Sequence, residues 1–292
     1  MPRRPNIAAL ALTLLASGSV AVGARCLSPG VARCSWASLT GHGPDLDVPY
    51  LGTRPEVVAR MLDLAGVGPD DRVLDLGTGD GRILIAAARR GASGTGVDID
   101  PVLIGEATTA AARAGVSARV RFVAQDLFAT PLHGYSVVTL FLLPRVNLRL
   151  RPHLLRTLAP GSRIVSHAFD MGDWPPDATA RVGGSHLYLW RVPAAVDGQW
   201  LLADGARLSL HQRFQDVAGF MTSGGVAAAL ADVHLEGDRI RFTAGARRYA
   251  GIVAGNTIRG SGWLAHRQTV HPPSGADAPL PRSPGSDGRG RR

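Results

Sequence analysis

Residues 72–90 constrain the fold more than any other part of this 292-residue chain. The apolar run at residues 72–76 predicts a short buried strand, and the alanine-rich run at residues 82–90 predicts a helix. Between them lies the turn Gly77-Thr78-Gly79-Asp80-Gly81. Glycines at a strand-to-helix turn let the backbone adopt positive φ and pass close to a ligand. The segment therefore predicts a βα unit whose turn binds a ligand.

The rest of residues 45–192 continues this alternation of strand and helix. Thr53 as N-cap and Pro55 in the first turn open a helix that Gly66 ends. Further strands are predicted at 94–98, 120–124, 136–142, 163–167 and 186–192, and further helices at 101–114 and 148–158. This βαβα order predicts an α/β fold with a parallel, doubly wound, Rossmann-like sheet over residues 45–193.

A different pattern follows Pro193. Gly and Asp turns separate short strand-like segments, which lie at residues 207–211, 239–242 and 249–253. The alanine-rich stretch at 226–231 is ambiguous between helix and strand. Residues 194–270 are therefore predicted to form a small antiparallel β module. The Pro-, Gly-, Ser- and Arg-rich residues 271–292 are predicted to be a disordered tail.

Residues 1–24 form a separate unit. Arg3 and Arg4 precede an apolar run and then small residues, which is the pattern of a secretory signal peptide or of an uncleaved membrane anchor. Residues 25–44 are predicted to be a linker, and Cys26 and Cys34 within it are left open as a disulfide or as two free thiols. We therefore expect a membrane-anchored or exported protein, with the side of the membrane undecided.

The formal charge of +9 does not describe the main domain. Residues 45–193 hold 16 arginines against 15 acidic residues, so we expect no nucleic-acid partner there. All 32 basic residues are arginines, which excludes a Schiff-base lysine and a P-loop lysine. No spacing of Cys and His suits a metal ion, so we expect no metal site.

Two carboxylates flank the glycine turn. Asp75 lies inside the preceding strand, where an unpaired charge would be costly. Asp98 ends the next strand, where a carboxylate can bind both hydroxyls of a ribose. The alternative is a dinucleotide site, but its third glycine would fall at Arg82, and the glycine here is Gly81.

The pattern Asp-x-Gly-x-Gly-x-Gly with a strand-end Asp resembles the class I S-adenosylmethionine (SAM) methyltransferases. The resemblance implies SAM as cofactor, with Asp75 and the glycine turn near its methionine end and Asp98 on its ribose. It also implies that Asp126, after the third strand, meets the adenine. The expected cofactor-binding residues are Asp75, Gly77, Thr78, Gly79, Gly81, Asp98, Ile99, Asp126 and Leu127.

Three further stretches resemble a bacterial group of these enzymes. They are Asp47-Val48-Pro49-Tyr50, Leu142-Leu143-Pro144-Arg145-Val146-Asn147 and the residues 166–174. That group is similar to the membrane-anchored lysine methyltransferases of mitochondria, which modify the ATP synthase c-subunit and the adenine nucleotide translocase. The resemblance implies a protein-lysine substrate. The fourth strand also lacks the Asn/Asp-Pro-Pro-Tyr/Phe motif with which DNA amino-methyltransferases hold a flipped base.

Candidate catalytic groups lie where open α/β sheets bind ligands, at the carboxyl ends of strands or in the segment before the domain. A lysine amine must lose its proton before it attacks, and acceptors in a partly desolvated site help with this. The candidates are Asp170, Asp173, His167, Tyr50 and Asn147. Structural alternatives are a loop cap for the two aspartates, a hydrogen-bonded strand end for His167, and packing over the cofactor for Tyr50.

Two other functions stay open on the sequence alone. One is an exported binding protein that retains this fold and whose β module holds a lipid or a glycan, because SAM is made in the cytosol. The other is a small-molecule methyltransferase, which would have the same cofactor site.

Overall fold

The computed structural model describes residues 52–268, which form a seven-stranded sheet followed by an eight-stranded barrel. The elements of the first part are α1 (Pro55–Leu64), β1 (Arg72–Leu76), α2 (Arg82–Arg89), β2 (Ser93–Asp98), α3 (Pro101–Arg113), β3 (Val120–Ala124), a 3-10 turn (Leu127–Ala129), β4 (Val137–Leu140), α4 (Pro144–Thr157), β5 (Arg163–His167), β6 (Ala178–Val182) and β7 (Ser185–Arg191). Segments 1–24, 25–44 and 271–292, both cysteines and Tyr50 lie outside the described residues.

Strands β1 to β5 run parallel, in a sheet of order β3-β2-β1-β4-β5-β7-β6. The apolar faces of α1 and α2 pack on one side of the sheet, and Val146, Leu150 and Leu154 of α4 pack on the other. The predicted doubly wound α/β fold is confirmed. Because β1, β2, β4 and β5 are parallel, their carboxyl ends meet along one edge.

Strand β7 departs from the predicted parallel direction, because it pairs antiparallel with β5 and with β6. Gly183 and Gly184 join β6 to β7 with φ of 53° and 80°, the conformation of a tight hairpin turn. A hairpin needs no crossover helix, so β7 returns in the opposite direction. No clear pattern in the sequence predicts β6, whose residues are half-buried or exposed at the sheet edge.

Two predicted helix starts also differ from the structure. Thr53 is not the N-cap of α1, because Arg54 holds that position and makes no side-chain cap bond. The hydroxyl of Thr53 instead lies 3.3 Å from Nδ1 of His167. Helix α4 begins at Pro144 and not at residue 148, since the fixed φ of proline suits a first helical turn.

The barrel confirms the predicted antiparallel β module. Its strands are β8 (Gly198–Leu202), β9 (Arg207–Arg213), β10 (Asp216–Ser223), β11 (Val226–Glu236), β12 (Arg239–Ala244), β13 (Arg247–Ala254), β14 (Thr257–Gly260) and β15 (Trp263–Arg267). Each strand pairs with the next, and β15 pairs with β8 to close the barrel. The ambiguous stretch at 226–231 belongs to β11, because β10 and β12 flank it and sheet pairing overrides the helix propensity of alanine.

The turn between β9 and β10 attaches the barrel to the sheet domain. The Trp174 indole N–H donates to Oε1 of Gln215 at 2.8 Å, and Nε2 of Gln215 donates to the Pro175 carbonyl at 2.8 Å. The rings of Trp174 and Phe214 stack with centroids 5.7 Å apart. Trp174 is fully buried, so the barrel closes over part of the sheet domain's core.

Within residues 52–268, no helix combines the length and the apolar character that crossing a membrane requires. The same residues contain no group of three or more His, Cys, Asp or Glu side chains that is placed to hold a metal ion.

Candidate functional site

The glycine turn lies at the carboxyl end of β1, and β2 fixes its backbone. The N–H groups of Gly77 and Thr78 both donate to the Val97 carbonyl at 2.9 Å. Gly77, Gly79 and Gly81 have φ of 77°, 55° and 77°, a conformation that L side chains rarely adopt. Gly81 begins α2 without a side-chain cap. The turn therefore presents bare backbone and a helix N-terminus, which favours electron-rich groups of a ligand.

Asp98 ends β2 and holds the tip of the turn. Its Oδ2 accepts from the Gly79 N–H at 2.9 Å, and its Oδ1 accepts from the Asp100 N–H at 3.1 Å. Burial raises the pKa of this carboxyl. The carboxylate also accepts from the Ile99 N–H. Because a carboxylate can accept about four hydrogen bonds, Asp98 keeps capacity for a hydroxyl group of a ligand. The neighbouring Ile99 is 43% exposed and offers an apolar surface beside it.

Both carboxylate oxygens of Asp75 accept hydrogen bonds from threonine hydroxyls of the protein. Its Oδ2 accepts from the Thr78 hydroxyl at 2.7 Å, and its Oδ1 accepts from the Thr139 hydroxyl at 2.5 Å. The residue is 1% exposed, and burial raises its pKa to about 6. The strand register explains the contact with Thr139, because it sets Thr139 of β4 directly beside Asp75. Asp75 therefore fixes the conformation of the glycine turn through its hydrogen bond with Thr78.

Asp126 follows β3 and caps the 3-10 turn, since its Oδ1 accepts from the Phe128 N–H at 2.8 Å. The side chain is exposed, and Leu127 packs partly buried against the core. The N–H of Gln125 donates to the Asp98 carbonyl at 2.8 Å. This bond brings the end of β3, with Asp126, next to the end of β2.

His167 ends β5 and is nearly buried. Its ring lies 4.0 Å from the Phe141 ring, between centroids, and Phe141 stacks on Phe169 at 6.5 Å. Burial, together with the nearby charge of Arg54, lowers the pKa of His167 to about 4. The imidazole is therefore neutral at physiological pH. A wall of three rings thus lies at the carboxyl ends of β4 and β5.

Asn147 lies in the first turns of α4 and is fully buried. Its Nδ2 donates to the carbonyls of Phe169 and Asp170 at 3.3 and 3.2 Å. Its Oδ1 has no hydrogen-bond partner in the part of the chain that the structure describes. An unsatisfied buried acceptor costs about 1–3 kcal/mol and needs an explanation. A donor on a ligand is one such explanation.

The two aspartates after β5 have structural contacts. Oδ1 of Asp170 accepts from the Gly172 N–H at 3.0 Å and closes a local turn. Asp173 forms ion pairs with Arg151 of α4 and Arg213 of β9, and these hydrogen bonds hold its pKa below the usual value. The geometry thus favours a loop cap for Asp170 and a contact to the barrel for Asp173. Neither lies in the ring wall.

A family model described as the ANTKMT methyltransferase domain matches residues 75–178. A protein-lysine N-methyltransferase from Saccharolobus islandicus is 42% identical over 142 residues, which cover 48% of this chain and 88% of that protein. This chain belongs to the ANTKMT methyltransferase family.

Two further proteins are similar to this methyltransferase over about half of its chain. The adenine nucleotide translocase lysine N-methyltransferase of Mus musculus is 36% identical, over 50% of this chain and 64% of the mouse protein. A crystal structure described as an RNA methyltransferase from Salinibacter ruber with S-adenosyl-L-homocysteine is 48% identical, covers 50% of this chain and 96% of that chain, and has a TM-score of 0.49. The family model ends at residue 178, before the barrel begins.

As a member of this family, the methyltransferase uses SAM, and the residues around the turn fit such a molecule. The positive-φ glycines leave room for close approach of the backbone. Asp98 keeps acceptor capacity for a ribose hydroxyl, and Ile99 provides an apolar surface for a flat base.

Several residues of the site escape sequence reasoning. Thr139, Phe141 and Phe169 are examples, since they lie 58 or more residues from the glycine turn. Thr139 carries a usable signal, because a hydroxyl inside the apolar β4 indicates a buried partner. Phe141 carries none, because apolar residues near strand ends are most often part of the core. Phe169 lies in the stretch 166–174 that resembles the family, but its apolar side chain alone does not indicate a place in the site.

Proposed function

We propose that this protein transfers a methyl group from SAM to the side-chain amine of a lysine in a partner protein. The observation that carries the proposal is the 42% identity to a relative named protein-lysine N-methyltransferase, over 88% of that relative. The wall of three rings at the carboxyl ends of β4 and β5 supports it, because apolar rings exclude water and so favour the neutral amine of a lysine.

The cofactor-binding part is proposed to lie at the ends of β1, β2 and β3. The glycine turn lies at the methionine end, Asp98 holds the ribose, and Ile99, Asp126 and Leu127 surround the adenine. Thr78 and Asp75 contribute by fixing the turn through their hydrogen bond.

The acceptor part is proposed to lie at the ends of β4 and β5. Phe141, Phe169 and neutral His167 would exclude water from the lysine, and desolvation lowers the pKa of an amine. Oδ1 of Asn147, which has no partner among residues 52–268, would accept from the amine N–H and orient the nitrogen lone pair. Asp170 and Tyr50 remain candidate residues at the entrance, whereas Asp173 is proposed to hold the loop.

SAM supplies an electrophilic methyl group on a sulfonium. With SAM bound, the lysine nitrogen would form a bond to the methyl carbon as the carbon–sulfur bond breaks, and the sulfur would keep the electron pair as a neutral thioether. The amine must have released one proton to solvent before this step, because a protonated amine has no lone pair.

Incubation of the purified protein with labelled SAM and lysates or membranes of the source cell tests the proposal. Label is expected in a protein band, and prior acetylation of lysines should abolish it. Because the chain has no lysine, lysine label must lie on a partner. Label confined to RNA or to small molecules would refute the lysine acceptor while leaving SAM dependence intact.

We further propose that residues 1–24 direct the protein to a membrane, either as an uncleaved anchor or as a cleaved signal. The pattern of two arginines, an apolar run and small residues supports this. Fractionation with protease accessibility tests it, and a full-length chain recovered only in the soluble cytosolic fraction would refute it.

A further inference from the structure

The barrel provides a surface that methyl transfer does not use. Core side chains such as Trp200, Phe242 and Tyr249 fill its interior, so a ligand has to bind its outer wall. The turn at Phe214 and Gln215 holds that wall against the sheet domain. A cleft of about 1210 Å³ lies between the β6–β7 edge of the sheet and strands β10 to β14.

Three arginines project into this cleft from the barrel. In the strand register, Ile252 of β13 lies opposite Arg239 of β12 on one side and Arg259 of β14 on the other. The three side chains therefore share one face of the barrel wall. Arg241 lies two residues along β12 and therefore on the same face. Ile240 between them is buried in the barrel core, so this face is the outer one.

The three arginines are exposed, and none forms an ion pair with a residue that the structure describes. The carboxylates in the cleft are Asp177, Asp216 and Glu236. Glu236 lies opposite Arg239 in the β11–β12 register, but its carboxylate pairs with Arg191 at 3.1 Å. The wall formed by β12 to β14 is therefore positive, with Ile252, 43% exposed, at its centre.

We propose that this arginine cleft binds an extended, acidic segment of a partner polypeptide that also carries apolar side chains. Guanidinium groups bind carboxylates through paired hydrogen bonds, and Ile252 offers an apolar contact between them. Arginines around an apolar centre are common in protein–protein interfaces. The proposal does not depend on which methyl acceptor the enzyme uses.

The lining of the cleft favours a polypeptide over single-stranded RNA. Among the described residues that line it there is no Phe, Tyr or Trp, and His234 is the one ring. Proteins that bind single strands stack bases on such rings. Val217 and Val233 instead add aliphatic surface beside the arginines.

Fluorescence anisotropy with a fluorescein-labelled 12-residue peptide of alternating Glu and Leu tests the proposal on the full-length protein. The test variant carries Arg239→Gln, Arg241→Gln and Arg259→Gln. The matched control carries Arg60→Gln, Arg89→Gln and Arg113→Gln, which remove the same charge from exposed helix positions of the sheet domain. Circular dichroism melts of both variants verify that each is folded.

We expect the test variant to bind the peptide about 3- to 150-fold more weakly, since each exposed ion pair contributes about 1.4- to 5-fold in affinity. The control should stay within about twofold of the unsubstituted protein, and a peptide with Gln in place of Glu should not bind. Equal loss in both variants would overturn the proposal, because binding would then follow net charge alone. Tighter binding of a 12-nucleotide RNA that depends on the same three arginines would overturn it as well.

Discussion

The hydroxyl of Thr139 on β4 donates a hydrogen bond to Oδ1 of Asp75 on the neighbouring strand β1, at 2.5 Å. Thr78 in the glycine turn donates to the other oxygen at 2.7 Å. The buried carboxylate thereby connects the centre of the sheet to the turn. Its conformation depends on a residue 64 positions away in the sequence.

Replacing Thr139 by Val removes one of these donors and keeps the shape of the side chain. Because Asp75 would then be buried with one oxygen unpaired, we expect the free energy of unfolding to fall by about 1–3 kcal/mol. Urea denaturation measures this difference. Thr139→Ser keeps the hydroxyl and is the control, and equal stabilities of the Val and Ser variants would contradict the role of the bond.

The raised pKa of Asp75 predicts a pH-dependent contribution to stability. Its pKa is about 6 in the folded protein and 3.8 when unfolded, so between these values the folded state holds more of the proton. The contribution of Asp75 is therefore fully favourable below pH 3.8 and is lost as the pH rises through 6. Relative to Asp75→Asn, the unsubstituted protein should lose stability from pH 4.5 to pH 7. A constant difference between the two proteins would refute this.

The lowered pKa of His167 predicts the opposite pH dependence of stability. Its pKa is about 4 when folded and 6.5 when unfolded, so the unfolded chain binds the proton first as the pH falls. The contribution of His167 is present above pH 6.5 and is lost as the pH falls through 4. In urea titrations at pH 7 and pH 5, His167→Gln should lose less stability on acidification than the unsubstituted protein. Equal losses would mean that the folded imidazole titrates normally.

Much of the fold could be predicted because local patterns determine it. Strands β1 and β5, for example, coincide with their predicted residues, since each is a short apolar run in a βα alternation. Strand β6 and the first half of β11 are harder to predict from the sequence. Their conformation depends on pairing with other strands and not on a local pattern. The alanine-rich residues 226–231 have helix propensity, and only their neighbours β10 and β12 make them a strand.

The site was predictable in its cofactor half and less so in its acceptor half. The glycine spacing and Asp98 point to a ligand without knowledge of tertiary structure. The partners of Asp75, Asn147 and Asp173 depend instead on which strands and helices become neighbours. An aspartate after β5 could therefore be catalytic or structural from the sequence, and only the ion pairs of Asp173 favour the second interpretation.

Replacing Asp98 by Ala should weaken SAM binding about 10- to 100-fold, because hydrogen bonds to a charged group contribute about 1.5–3 kcal/mol. Isothermal titration calorimetry measures the affinity. Asp98→Asn keeps an oxygen that can accept from the Gly79 N–H, so it leaves the turn in place. Comparison of the Ala and Asn variants therefore separates the loss of ribose contacts from distortion of the turn. Asp216→Ala, an exposed barrel residue, should leave the affinity unchanged. An unchanged affinity in Asp98→Ala would remove Asp98 from the cofactor site.

The barrel contact through Gln215 predicts a coupled loss of stability. Gln215→Ala leaves the N–H of the fully buried Trp174 without its acceptor, which costs about 1–3 kcal/mol. For a domain of 150–250 residues, each kcal/mol lowers Tm by about 2–4 °C, so calorimetry should record a fall of several degrees. Gln215→Glu keeps an acceptor for the indole and should melt at a higher temperature than the Ala variant. If both variants melt like the unsubstituted protein, the turn between β9 and β10 does not hold the barrel in place.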